Sequence, residues 1–322
     1  MNTDLIREPK LETLDEVREL WTSEIPLEVA EVDQRAIWIA SVLLEGVDEA
    51  YGKDSDTELA YHGSAHSRDV IRRSLSMWRD LHETLPERFP IPDLGLIAVA
   101  AAGHDRVQLE GPVINERMSA RATANAMKRR GATYYRPADR ERVDEAIMTT
   151  IVEFSPEGEI HQVNLRKGAR DPLKLVLAYA DINGIAMEGP FRMYKDATNL
   201  FMEISGITHN GGIALQADRF VDFLGSQAQF LETRLSDMPS DVAYYFPDST
   251  EAFQVAFKMN TILRPHEGAL ELAKFMRSSP IMRGIIHSMS IGTLLDTNKA
   301  AAYFKESVEK LMHGDATTDE SS

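Results

Sequence analysis

Apolar residues recur at three- and four-residue spacing along almost the whole chain, the period of a helix with one face turned inward. The spacing predicts helices over residues 36–47 (AIWIASVLLEGV), 69–81, 94–103 (LGLIAVAAAG), 115–131, 139–154, 171–182, 191–205, 214–235, 249–263, 267–276 and 298–312. Convincing runs of period two are nearly absent, so strands are not expected to organise the fold. Asp139 and Asp171 each head such a run and suit an N-cap, while Gly131 closes one helix and Pro190 opens another. Loops are expected at 83–93, 155–170, 206–212 and 237–248, none long or biased enough to serve as an interdomain linker. The pattern points to an all-α protein with three parts: an acidic helical extension (1–58), one compact multi-helix domain (59–312) and a polar, disordered tail (313–322).

Charge narrows the partners. The 322 residues carry a formal net charge of −16, and residues 1–58 alone hold 16 acids against 5 bases. Such a surface disfavours nucleic-acid polymers and anionic membranes, which need positive charge. It leaves room for a small phosphorylated ligand, because residues 59–181 are close to neutral, with 18 bases and 17 acids. The 43% hydrophobic content suffices for a packed core. With no cysteine there is no disulfide, iron–sulfur cluster or thiol nucleophile, so any metal must use histidine, carboxylate and water. The opening MNTDLIREPK lacks the features of a signal peptide, and the apolar stretch Leu94 to Ala102 is far short of the roughly 20 residues that span a bilayer. A soluble, cytoplasmic protein is expected.

Nine histidines are the natural candidates for chemistry. A His-acid dipeptide means nothing alone: His82-Glu83, His104-Asp105 and His266-Glu267 all occur, little more than chance provides. Context separates His104-Asp105, which ends the apolar run LIAVAAAGHD. A core helix would there deliver imidazole and carboxylate together, and a cation is one natural compensation for burying them. Upstream, His62 and His66 stand at i and i+4, neighbours on one helical face. Downstream, LVLAYADINGI carries Asp181 on a third apolar helix. Three core segments with ligand-type residues suit a hard-metal site of imidazole and carboxylate.

In this order the motifs resemble the HD superfamily of metal-dependent phosphohydrolases, and within it the catalytic domain of class I cyclic-nucleotide phosphodiesterases. Tyr61-His62-Gly63-Ser64-Ala65-His66 is similar to the family's Y-H-N-x-x-H, His104-Asp105 to its H-D, and Ala180-Asp181-Ile182 to its A-D-[IL]. Asn115-Glu116 is similar to a segment whose Glu supports a second metal through water. Ser226-Gln227-Ala228-Gln229-Phe230-Leu231 resembles S-Q-x-x-F-[IL], whose Gln and Phe hold a purine. The resemblance, which runs from about residue 60 to 235, implies a helical bundle with a metal site at its centre. It assigns His66, His104, Asp105 and Asp181 as metal ligands, with Asp105 bridging two ions. His62 becomes the general acid, Glu116 a support for the second ion, and Gln227 and Phe230 the base contacts. One or two divalent ions are implied, with zinc, manganese, magnesium, iron and nickel not distinguished.

The chain departs from the family at definite places. Gly63 replaces the Asn of Y-H-N-x-x-H, and the family's H-D-V-D-H becomes His104-Asp105-Arg106-Val107-Gln108, which loses a second histidine. The expected function is hydrolysis of a phosphodiester in a cyclic or linear nucleotide. The alternatives are a broader HD nucleotidase and a catalytically degenerate domain that binds a nucleotide as a sensor. The expected partner is a small nucleotide, and homo-oligomerisation stays open.

Overall fold

The computed structural model describes residues 8–263 except 28, 54, 109–110, 132–134, 155–159, 183 and 207–215, together with a few positions between 299 and 310. The chain is all-α, as its periodicity implies. In order it forms α1 (Leu11–Glu24), α2 (Gln34–Tyr51), α3 (Ser64–Thr84), α4 (Leu94–Gly103), α5 (Pro112–Gly131) and α6 (Pro137–Ile147). A short antiparallel hairpin of β1 (Val152–Phe154) and β2 (Ile160–Gln162) follows, with Glu153 opposite His161. Then come α7 (Pro172–Ile182), α8 (Gly184–Ile204), α9 (Ala217–Tyr245) and α10 (Ser249–Ile262). Two compact units emerge: Met1–Ile182 with Asp237–Ile262, and Asn183–Ser236 with Leu263–Ser322.

The first unit is built around α4. A helix apolar on every side has no face for water and belongs in a core; all ten residues of α4 are buried, and α2, α3, α5, α6 and α7 pack against it. Its small residues let the neighbours come close. A Cβ added at Gly103 would lie 2.0 Å from Thr123 Oγ1 on α5, and one at Gly95 would lie 2.6 Å from Asp33 Oδ2. Asp33 itself caps α2 by accepting from the amides of Arg35 and Ala36. Helices α1 and α2, from the acidic segment 1–58, belong to this unit: α1 packs on α2 and α3, and Arg68 of α3 pairs with Glu16 at 2.8 Å and Asp48 at 3.3 Å.

Local rules fail where tertiary contacts outweigh them. The helix expected over 139–154 stops at Ile147, where the β-branched run Thr149-Thr150-Ile151-Val152 disfavours its continuation, and Val152–Phe154 turns into strand. Asp139 is not the cap of α6 but its third residue, reaching back to accept from Arg136 N at 2.9 Å. Asp171 does cap α7, accepting from Leu173 N at 3.0 Å. Pro190 falls inside α8 rather than at its start, and the loop expected over 237–248 is helical to Tyr245, with Pro239 inside α9.

Arg142 on α6 clamps two helix starts. Its guanidinium donates to both oxygens of Asp93, ahead of α4, and to both oxygens of Asp171, ahead of α7. Arg142→Met keeps the stem but leaves two half-buried carboxylates without their cation. It should lower unfolding free energy by about 2–3 kcal/mol, read from the midpoint of a urea melt.

In the second unit, α8 and the first part of α9 meet through aromatic rings. Phe201 contacts Phe220 and Phe223 at 5.2 and 5.5 Å between centroids, and Tyr194 lies edge-on to Phe220. The expected helix 267–276, the tail 313–322 and most of 298–312 lie outside the described residues.

Candidate metal centre

Three elements of the first unit converge on one point. Gly63, extended at φ −90° and ψ 177°, leads into α3, so His66 occupies the third position of the helix, facing inward. His104 and Asp105 follow directly on α4, and Asp181 is carried by the last turn of α7 after eight consecutive buried residues. His66 Nε2 lies 3.1 Å from Asp181 Oδ1 and 3.4 Å from Asp105 Oδ2. His104 Nε2 lies 3.3 Å from Asp181 Oδ1, 3.1 Å from Asp105 Oδ2 and 3.3 Å from His66 Nε2. His66, His104 and Asp105 are all buried and form a group that could hold a metal ion.

The atoms fit such an ion. Donors each about 2.1 Å from a shared cation sit roughly 3.0–3.4 Å from one another, the spacing each imidazole nitrogen has here to its neighbours. Asp105 Oδ2 is buried without a hydrogen bond in acceptable geometry, although two imidazole nitrogens are near. His104 Nδ1 donates to the carbonyl of Ala101 at 2.8 Å, which leaves the Nε2 lone pair for the cluster.

Charge distribution says the same. Burial pulls the His104 pKa down, but the Asp105 and Asp181 carboxylates overcome it and hold the imidazole well above its usual value. Despite burial, Asp105 is held down to about 2 by His104 and His62, and Asp181 falls far below the carboxylate range beside His104 and His66. A proton on imidazole is thus the local substitute for a cation, and a divalent ion would displace it. Glu116 on α5 is buried, with Oε2 unpartnered, and its carboxyl is pushed up to about 7 by burial, with the charges of Asp105 and Asp181 adding to it.

His62 is not on the helix with His66, as i, i+4 spacing suggested, because α3 begins only at Ser64. It still lies beside the cluster, its ring 6.0 Å from that of His66, with Tyr61 between them at 4.8 and 4.6 Å. Gln227 and Phe230 sit on α9, in the other compact unit, and are each partly buried. So His66, His104, Asp105 and Asp181 meet within the first unit, with His62 and Glu116 close by.

Residues the motifs did not single out also shape the site. Gln108 Nε2 donates to Asp105 Oδ1 at 2.8 Å, Asn115 Nδ2 reaches Gln108 Oε1 at 3.5 Å, and Tyr51 OH accepts from Gln108 N at 3.0 Å. The available signal was position: Gln108 stands where the resembling family has its second histidine. Among the described residues no helix is long and apolar enough to cross a membrane. No protein-family model, curated protein or solved structure matches the chain, so its own geometry carries the functional reading.

Proposed function

We propose that the chain is a metal-dependent phosphohydrolase that cleaves a phosphoester of a nucleotide. The observation that carries this reading is that the buried imidazole nitrogens of His66 and His104 each lie 3.1–3.4 Å from an oxygen of Asp105 and an oxygen of Asp181, with a further histidine alongside. His66, His104, Asp105 and Asp181 would hold the ion. When bound, a divalent cation supplies a more acidic water and charge stabilisation for phosphoryl oxygens. The chain's own contribution is orientation and proton management. Ala101 fixes the His104 tautomer, Gln108 fixes the Asp105 carboxylate, and His62 gives a ring proton to the departing ester oxygen. Gln227 and Phe230 are the proposed contacts for the base, on the strength of their motif.

A second reading, a nucleotide sensor without turnover, is favoured by one observation: an amide, Gln108, stands where a water-ordering histidine is expected. Metal analysis followed by a hydrolysis screen over cyclic and linear nucleotides with Mn²⁺ or Mg²⁺ separates the two. Turnover that disappears with chelator supports the enzyme; nucleotide binding without turnover overturns it. His62→Ala should keep the full complement of cation while losing roughly 10²–10⁴-fold in kcat. A variant that loses cation instead would make His62 a ligand.

A further inference from the structure

Asp105 presents its two oxygens to different partners. Oδ2 faces the imidazole nitrogens of His66 and His104, whereas Oδ1 accepts the amide of Gln108. The orientation of that amide follows from chemistry: an ionised carboxylate only accepts, so the NH₂ must face it, and the carbonyl end meets the Asn115 donor. The Gln108 backbone is held in turn by Tyr51 OH, and the next polar group, Ser119 Oγ, accepts from Val107 N at 2.9 Å. The segment after Asp105 is therefore tied to α2 and α5 at successive residues.

We infer that Gln108 restricts the centre to one cation and sets the orientation in which Asp105 binds it. This rests on the metal-centre reading and departs from the two-ion arrangement that the motif resemblance implies. A carboxylate bridges two ions by giving one oxygen to each. Here the Oδ1 side is occupied by amide hydrogens, whose partial positive charge opposes a cation at the same place. Gln108 acts through Asp105 and is a positioning residue: with Oδ1 engaged, Oδ2 is left for the single ion. Outer partners of this kind typically contribute 10–100-fold to metal affinity.

The test is cation stoichiometry on the full chain, read without any substrate. Purified protein is stripped with chelator, titrated with Mn²⁺ and followed calorimetrically and by electron paramagnetic resonance. Wild type should take one equivalent and show the signal of an isolated ion. Gln108→Ala clears the Oδ1 side, so it should hold the first ion about tenfold more weakly and take up a second at higher Mn²⁺. Gln108→Glu keeps the shape and replaces the opposing amide with a carboxylate, so it should take two and show spin coupling between them. Two equivalents in wild type, unchanged affinity in Gln108→Ala, or a single ion in Gln108→Glu would each overturn the inference. No binding at all in wild type would overturn the metal centre as well, a result distinct from all three.

Discussion

Asp105→Ala should bind no cation at one equivalent of Mn²⁺ and lose about three powers of ten in turnover. Asp105 Oδ2 is buried and lies within 3.4 Å of both imidazole nitrogens. Removing it leaves two histidines and Asp181, with Gln108 donating to nothing. Several kcal/mol of charge stabilisation depend on the ion, and each 1.4 kcal/mol is about tenfold in rate. The check is metal content together with kinetics, with melting of the chelator-treated variant beside chelator-treated wild type. Loss of metal and rate with a melting temperature near that of the stripped parent places the effect at the site. Full activity in Asp105→Ala would end the phosphohydrolase reading.

The second large effect is steric and lies one residue before the metal centre. Gly103→Ala puts a methyl 2.0 Å from Thr123 Oγ1 and 3.0 Å from its Cβ and Cγ2. Thr123 is fully buried and its hydroxyl already donates to Ser119 O at 2.9 Å, so turning away would cost that bond. Either α4 or α5 must move. Overpacking of this order costs about 3 kcal/mol. Because His104 follows immediately, the same shift should weaken cation binding. Thr123→Ala removes two of the three clashing atoms, so the double variant should recover much of the stability that Gly103→Ala loses, against the sum expected of independent changes. Denaturant melts of the two single variants and the double variant measure that coupling; strict additivity would mean the two residues do not meet.

Much of this was legible in the chain because the strongest patterns are also the ones that bury most. The run LGLIAVAAAG can only be a core helix, and whatever ends it is delivered to the interior, so His104 and Asp105 were readable as a pair from context. Asp181 after LVLAYA follows the same logic. The hairpin was not readable, since three-residue strands are too short to show alternation against the helical spacing of residues 139–154. The loop expected over 237–248, which contains Pro239, fails for a physical reason. A proline inside a helix costs about 3 kcal/mol locally, but the residues beyond it are held by contacts far along the chain. Asp241 accepts from Arg166 at 2.6 Å and Tyr179 at 2.7 Å, and Tyr245 OH donates to Leu165 O. Such bonds carry no local signature. Gln108 was visible only as the absence of a histidine, because an amide's role depends on which oxygen it meets.

The enclosed helix α4 does more than carry two ligands. Aligned peptide groups leave a partial negative charge, equivalent to about half an electron, at a helix C-terminus. Here that end lies beside His104 and Asp105, and with all ten residues buried little solvent screens it. On the proposed reading, a phosphate approaching before the cation would meet this end and two carboxylates, with the imidazole proton alone to offset them. On that reading the cation should bind before the anion, so the anion's affinity should rise with Mn²⁺ concentration.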